Sequence, residues 1–120
     1  MDLASRLQLR AGQRVAVLDA PPDVAIGVPA GVSRVDDPAQ ADAVIAFVRD
    51  HAALTGPAAE EALAAARADR LAWIAYPKAG QLDTDLNRDR LAAALAGTGT
   101  RPVRQVSIDP VWSALRFRPA

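Results

Sequence analysis

The single lysine of the chain, Lys78, directly follows an apolar run and is the first candidate for chemistry. The run Leu71–Tyr76 is almost entirely apolar, which predicts a buried strand, and Pro77 separates it from the lysine. The other thirteen basic residues are all arginines. A lysine ammonium holds an anion as a point charge, and its deprotonated amine acts as a nucleophile. Lys78 is therefore predicted to bind an anionic ligand, and the alternative is a solvated lysine in a turn.

Three further polar residues are predicted to lie near Lys78. A second apolar run, 43–48, is followed by Arg-Asp-His51, which contains the only histidine, and Asp19 ends an earlier apolar run. Imidazole exchanges a proton near neutral pH, so His51 is a candidate acid or base. Asp85 lies in an acidic turn after the lysine. Ligands of parallel α/β sheets bind at the carboxyl ends of the strands, where we expect these groups to meet. The alternatives are ordinary capping and turn roles.

Trp112 and Ser113 follow the turn signal Asp109-Pro110 and begin the last apolar segment. Trp112 is predicted to cover the edge of the sheet, and stacking on a ligand is the alternative reading. A nucleophilic serine needs a base and a group that orients the base. The sequence around Ser113 indicates neither, so no serine hydrolase chemistry is expected.

The turn after the first strand lacks the glycines that a nucleotide or methyl-donor site requires. It reads Leu18-Asp-Ala-Pro-Pro22, and the next glycine is Gly27. Backbone N–H groups at such a turn bind the cofactor, and proline has no N–H to donate. We therefore expect no cofactor. The aspartates have no accompanying histidines in a ligand pattern, so no metal site is expected either.

Composition excludes several classes of protein. Half of the 120 residues are hydrophobic, which predicts one folded domain over residues 1–120. Fourteen basic and fourteen acidic residues cancel, so a general nucleic-acid binder is not expected. No apolar run approaches the roughly 20 residues that span a bilayer, and no basic amphipathic segment suits a membrane surface. The absence of cysteine excludes disulfides and thiolate zinc sites. The arginine and alanine bias and the lack of cysteine favour a bacterial, cytoplasmic protein.

The first half of the chain alternates short apolar runs with turns. A short helix is predicted over 2–8, where Leu3 and Leu7 share one face. Continuous apolar runs predict buried strands over 14–19 and 43–48. Residues 20–31 contain three prolines and two glycines and are predicted to be irregular. A weak edge strand is predicted over 32–35.

The second half begins with a helix signal, Thr55-Gly-Pro57, which leads into the strand over 71–76 and completes a βαβ unit. Asn87 predicts the N-cap of another helix. Strands over 103–108 and 113–118 are predicted to form a terminal hairpin, the last strand with one solvated face. The fold class predicted is α/β, a three-layer Rossmann-like sandwich with a mostly parallel sheet and an antiparallel C-terminal strand. It resembles a minimal methyltransferase-like fold.

Four segments carry a resemblance to a known family. They read Gly12-Gln-Arg-Val-Ala-Val-Leu-Asp-Ala-Pro21, Trp73-Ile-Ala-Tyr-Pro-Lys78, Thr84-Asp-Leu-Asn87 and Asp109-Pro-Val-Trp-Ser-Ala-Leu-Arg-Phe117. In this order they resemble the bacterial family called domain of unknown function 3052. The resemblance implies a small bacterial cytosolic protein and supplies no catalytic residue. It places Lys78, Asp85, Trp112, Ser113 and Arg116 in the family's motifs.

These observations favour a non-catalytic module that binds a small anionic ligand or a protein partner. The module would have a degenerate methyltransferase-like fold without the glycine-rich cofactor loop. One alternative is a small enzyme that acts on an anionic metabolite through Lys78, assisted by Asp85 or His51. Another is a structural protein that oligomerises through the edge strand at 32–35.

Overall fold

The computed structural model describes residues 2–120. Three helices are present, α1 (Leu3–Arg6), α2 (Pro57–Arg67) and α3 (Arg88–Ala94), with single 3₁₀ turns at Pro38–Gln40 and Ala52–Thr55. Six strands accompany them: β1 (Arg14–Leu18), β2 (Ser33–Arg34), β3 (Ala43–Phe47), β4 (Leu71–Pro77), β5 (Thr100–Ser107) and β6 (Trp112–Pro119). The predicted α/β class is confirmed, and each predicted strand and helix has a counterpart.

All six strands form one mixed sheet in the order β2-β1-β3-β4-β6-β5. The β1–β2, β1–β3 and β3–β4 pairs are parallel. The β4–β6 and β5–β6 pairs are antiparallel. The prediction of a mostly parallel sheet therefore holds for the N-terminal half, whereas the C-terminal half is paired antiparallel. The antiparallel pairing there follows from the terminal hairpin, because a short turn can join only antiparallel neighbours.

Helix α2 completes the predicted βαβ unit between the parallel neighbours β3 and β4. Gly56 is its N-cap and Pro57 occupies the first turn, where a missing N–H leaves no hydrogen bond unmade. Arg67 in the last turn contacts Glu60 in the first, at 2.6 Å between Nη2 and Oε1. Six of its eleven residues are buried, and five of these are alanines. The small side chains let the helix pack closely on the sheet.

Side chains alternate between the two faces of the sheet, and different segments cover each face. We call the first the helical face, because Val44, Ile74 and Leu115 pack there with α2 and α3. We call the second the loop face, because Val15 and Trp73 pack there with α1 and the irregular segment 20–32. The Trp73 indole donates from Nε1 to the carbonyl of Leu7 at 3.0 Å, which fixes α1 on the loop face.

The N-terminal elements follow the predicted boundaries closely. The Asp2 carboxylate accepts a hydrogen bond from the Ser5 N–H at 2.8 Å and caps α1. Residues 20–31 form neither helix nor strand, as their proline and glycine content predicts. The weak strand predicted over 32–35 is β2, two exposed residues at the edge of the sheet.

The last strand follows its predicted alternation in its second half. Leu115 and Phe117 are buried, whereas Arg116 is half-buried and Arg118 is exposed. In the first half of β6, residues 112–114 are all buried. Among residues 2–120, no helix is long and apolar enough to cross a membrane.

Candidate functional site

The carboxyl ends of the parallel strands meet along one side of the sheet, which we call the carboxyl edge. Asp19 follows β1, Arg49 follows β3 and Lys78 follows β4. Trp112 begins the antiparallel strand β6 and lies opposite Pro77, so it belongs to the same edge. Three of the five predicted site residues, Asp19, Lys78 and Trp112, therefore lie along the edge where parallel α/β sheets bind ligands.

A cavity with a volume of about 600 Å³ opens on the loop face of this edge. That volume lies within the range of roughly 300–1,000 Å³ that is typical of small-molecule sites. Its walls come from the ends of β1 and β3, the irregular segment after β1, and the turn before β6. The lining residues are Asp19, Pro21, Pro22, Asp23, Val24, Phe47, Arg49, Ala53, Leu82, Asp109, Val111 and Trp112.

Two aromatic rings form the inner wall of the cavity. Phe47 and Trp112 meet edge to face, with ring centroids 5.2 Å apart and planes at 69°. Both residues are buried, which leaves only part of each ring available to a ligand. Trp112 was predicted to cover the sheet edge, and the ligand-stacking alternative is compatible with its position because it also lines the cavity. Such rings provide a flat apolar surface.

The mouth of the cavity carries more negative than positive charge. Asp19, Asp23 and Asp109 supply carboxylates, and Arg49 supplies the one guanidinium of the lining. The Asp109 carboxylate already accepts hydrogen bonds from the N–H groups of Val111 and Trp112, at 2.8 and 2.7 Å. Asp19 and Asp23 are exposed and have no hydrogen-bond partner for their carboxylates among residues 2–120. They remain free to contact a ligand.

Two of the five non-glycine residues with a positive φ among residues 2–120 line the cavity. Asp19 has φ +59° and Leu82 has φ +53°, both in the left-handed region that most L-residues avoid. Aspartate tolerates this region better than leucine does, so Leu82 is the costlier of the two. Leu82 is also one of two large hydrophobic residues that are exposed among the described residues. Strain of this kind collects at ligand sites because the surrounding structure holds it.

Lys78 lies on the opposite, helical face of the same edge. Its Nζ donates to the Ser107 hydroxyl at 2.8 Å, and its backbone N–H donates to the carbonyl of Val111. A smaller cavity of about 320 Å³ contains Lys78 together with Tyr76, Ala79, Asn87, Arg88, Gln105 and Ser113. Lys78 shares the face of Tyr76 because side chains two residues apart on a strand point the same way. Trp112 pairs with the residue between them and therefore takes the other face.

The Tyr76 and Ser113 hydroxyls are buried polar groups of this smaller cavity. Gln105 donates from Nε2 to the Tyr76 oxygen at 3.0 Å. Burial raises the pKa of the Tyr76 phenol above its ordinary value of 10.0, against smaller opposing contributions from Ser113 and Arg88. The phenol therefore stays protonated at neutral pH and acts as a hydrogen-bonding group.

His51 and Asp85 line neither cavity. The backbone N–H of His51 donates to the Asp85 carboxylate at 2.8 Å, and the His51 side chain is exposed. Thr84 forms a second hydrogen bond between the same segments, in which its hydroxyl donates to the Arg49 carbonyl at 2.8 Å. These bonds attach the 82–86 turn to the end of β3. The structure thus gives Asp85 a positioning contact, and neither Asp85 nor His51 belongs to the lining of the cavity that contains Lys78.

Sequence analysis did not identify several residues that line the 600 Å³ cavity. Phe47 was read only as part of the apolar run 43–48, and Pro21 and Pro22 only as part of a turn that lacks glycines and N–H donors. Leu82 has no distinguishing pattern, since its exposure and left-handed backbone depend on the folded turn. A useful signal was available in Phe47, which is the one aromatic residue at the carboxyl end of its apolar run.

Within residues 2–120, no group of three or more histidine, aspartate or glutamate side chains is arranged to hold a metal ion. Comparison with known proteins gives no family, because no protein-family model matches the chain and a search of curated proteins found no match.

Proposed function

We propose that the protein is a non-catalytic binding module whose ligand is a small molecule held in the 600 Å³ cavity. The observation that carries this proposal is the cavity itself, at the carboxyl edge, with an aromatic inner wall and unpaired carboxylates at its mouth. Apolar walls with a few convergent polar groups are the usual composition of a ligand pocket. Its lining contains no serine, threonine, lysine, histidine or tyrosine, so carboxylates are its candidate acid, base or nucleophilic groups.

The charge of the lining narrows the ligand class. Three carboxylates and one guanidinium favour a neutral or cationic ligand over the anionic ligand that sequence analysis predicted. The flat surfaces of Phe47 and Trp112 suit an aromatic or other planar apolar group. The proposed ligand therefore joins a planar apolar part to a neutral or cationic polar part that reaches Asp19 or Asp23.

The strand order supports a degenerate methyltransferase-like architecture, a Rossmann-like three-layer sandwich. In the order β2-β1-β3-β4-β6-β5, strand β6 is antiparallel to the other strands of the sheet. It lies between β4 and β5. In the cofactor-binding form of such a fold, the first strand leads through glycines into a helix. Here β1 leads into Asp19 and two prolines, and no helix follows until after β3. This difference supports a module that has the fold without the cofactor loop.

We also propose that the chain belongs to the domain of unknown function 3052 family. Two of the four motifs that carry the resemblance form neighbouring strands, β4 and β6, paired from Ala72–Phe117 to Pro77–Trp112. Their residues Tyr76, Lys78 and Ser113 line one cavity. This contact between distant motifs supports a shared role in the family.

Binding can be tested with ligand pairs that differ only in charge. Thermal unfolding is measured with benzylamine and benzoate, and with adenosine, S-adenosylmethionine and adenosine monophosphate. Wild type is compared with Asp19→Asn, since asparagine also tolerates a positive φ and the change removes one charge. The matched control is Asp36→Asn, an exposed aspartate outside the cavity. A ligand at 100 times its Kd adds about 2.7 kcal/mol to the unfolding free energy, which is several degrees in Tm.

The expected result is a rise in Tm with a neutral or cationic compound that is smaller in Asp19→Asn and unchanged in Asp36→Asn. Titration of Trp112 fluorescence should report the same Kd, because that indole lines the cavity. The proposal would be refuted if no compound raised the Tm of wild type. It would also be refuted if the rise in Tm were the same in Asp19→Asn and Asp36→Asn. A shift with the anionic member of each pair alone would overturn the ligand class.

A second candidate, a small enzyme acting through Lys78, is favoured by one observation. The Lys78 ammonium shares a cavity with the Tyr76 phenol and the Ser113 hydroxyl. The test is turnover of anionic metabolites by wild type and by Lys78→Met, with folding monitored by circular dichroism. Saturable turnover that disappears in the folded variant would replace the binding proposal with this one.

A further inference from the structure

A third cavity lies at the opposite, amino edge of the sheet, where β4 begins and β6 approaches its end. It has a volume of about 250 Å³ and is lined by Gln8, Arg10, Gln13, Leu71 and Arg116. Two guanidinium groups and two carboxamides supply its polar atoms, and no carboxylate is part of the lining. The cavity is on the loop face, because Arg116 pairs with Trp73 across the sheet.

Arg116 is held firmly and is incompletely satisfied. Its Nη1 donates to the Gln8 side-chain oxygen at 2.6 Å. Its Nε is buried and has no hydrogen-bond partner among residues 2–120. A buried donor without a partner is costly, so a native protein that retains one has a reason to do so. Here the guanidinium keeps hydrogen-bonding capacity that the described residues do not use.

The charge around Arg116 is also uncompensated. On the loop face of the terminal hairpin, Arg104 lies opposite Arg116, and Arg101 lies opposite Arg118. The Asp69 carboxylate acts on Arg116, but it also forms an ion pair with the Arg118 guanidinium at 3.2 Å. Burial, followed by the neighbouring Arg118, lowers the pKa of the Arg116 guanidinium. An anion placed beside Arg116 would relieve both effects.

The segment between α1 and β1 is shaped to present the remaining polar groups. Gln8 has φ +64°, a left-handed conformation that directs the chain back across the sheet after α1. The Gln13 side-chain oxygen accepts a hydrogen bond from the Arg10 N–H at 2.8 Å, which closes the turn between them. Both glutamines therefore position arginines of the same cavity, one through a side chain and the other through the backbone.

We propose that this cavity binds an oxyanion, the phosphate or carboxylate group of a small molecule, between Arg10 and Arg116. Guanidinium groups bind such groups through paired, charge-assisted hydrogen bonds. The site is separate from the cavity of the proposed function, since it lies at the other edge of the sheet. It also gives a role to Arg116, a motif residue that the proposed function does not use.

The test uses inorganic phosphate and acetate as probes, with total ionic strength held constant by sodium chloride. Thermal unfolding is measured for wild type, Arg116→Gln and Arg101→Gln. Glutamine keeps amide donors and removes the charge. Arg101 is the matched control, because it is an exposed arginine of the same hairpin face and does not line the cavity. We expect phosphate, acetate or both to raise the Tm of wild type and Arg101→Gln by several degrees near saturation, and to leave Arg116→Gln unshifted.

Two results would overturn the proposal. One is a wild-type protein that neither anion stabilises beyond chloride, and the other is a shift of the same size in both variants. If Arg116→Gln does not fold, Arg10→Gln replaces it, since Arg10 is exposed and its loss leaves the core intact. An unchanged phosphate or acetate response in that variant would equally refute the site. A nuclear magnetic resonance titration of the wild-type arginine Nε–H signals provides the direct readout, with Arg116 expected to shift most.

Discussion

Individual side chains on the carboxyl edge take roles that depend on which face of the sheet they occupy. Asp19 and Trp112 line the large cavity on the loop face, whereas Lys78 lines the smaller cavity on the helical face. The separation follows from strand geometry, because successive residues point to opposite faces. One edge of the sheet therefore offers two chemically different surfaces, a cavity with excess carboxylate and a polar cavity with an ammonium.

The pKa of Tyr76 leads to a prediction at the same scale. Burial raises the folded-state pKa above 10.0, so the protonated phenol contributes stability that is fully present below pH 10. That contribution is lost as the pH rises through the folded-state pKa. Tyr76→Phe should therefore weaken the dependence of unfolding free energy on pH above about pH 10, and should cost about 1 kcal/mol at pH 8 through loss of the Gln105 hydrogen bond.

The measurement is urea unfolding across this pH range, together with absorbance titration of the phenol. Tyr76 is the only tyrosine of the chain, so the absorbance reports this group alone. Ionisation of the folded protein at the ordinary value of 10.0 would contradict the prediction. Gln105→Leu serves as a companion variant, since it removes the hydrogen bond and keeps the phenol.

At the scale of secondary-structure elements, the connection before β1 is hydrogen-bonded to the segment before β2. The Gly12 N–H donates to the Gly31 carbonyl at 2.7 Å. Gly31 has φ +84°, and a Cβ atom there would lie 2.9 Å from the Cβ of Ala11. Both the backbone conformation and the close approach require glycine at this position.

Gly31→Ala is predicted to lower the free energy of unfolding by about 1–3 kcal/mol, through backbone strain and the clash with Ala11. Gly27→Ala is the matched control in the same irregular segment, because its φ is not positive and its Cβ would meet no atom within 4 Å. That change should be neutral or stabilising by up to about 1 kcal/mol, since alanine restricts the unfolded chain. Thermal and urea unfolding measure both effects, and equal losses in the two variants would contradict this account.

For the whole molecule, the two edge strands of the sheet determine how readily it can pair with a second copy of the chain. The edge strand β2 has two residues, Ser33 and Arg34. The other edge, β5, contains Pro102 and a bulge between Pro102 and Arg104. Short strands, proline and bulges all reduce the capacity of an edge to pair with another chain. The edge at 32–35 is therefore a poor basis for the oligomer considered during sequence analysis.

The protein is accordingly predicted to be a monomer. Multi-angle light scattering at protein concentrations up to about 1 mM should give the chain mass of 12.6 kDa. A mass near twice this value would contradict the prediction. Arg34→Pro would then show whether β2 forms the contact, because proline at this edge removes the N–H that a new strand would need.

The sequence by itself predicted the strands and helices and placed Asp19, Lys78 and Trp112 at the carboxyl edge of the sheet. Continuous apolar runs at 14–19, 43–48 and 71–76 predicted the buried strands, and Asn87 predicted the start of a helix, because these signals depend on neighbouring residues alone. Alternation in the final strand predicted the exposure of residues 115–118, whereas the burial of residues 112–114 depends on what packs against the strand. Local sequence carries no record of that neighbour.

Only the tertiary structure decided which groups meet. The irregular segment 20–24 and Leu82 form walls of the large cavity, and Gln8 meets Arg116 across 108 positions of sequence. Segments without periodicity have no preferred face, so their positions follow from packing against the completed sheet. The separation of Lys78 from Trp112, the isolation of His51 from both cavities and the pairing of Arg10 with Arg116 in one cavity all arise from that packing.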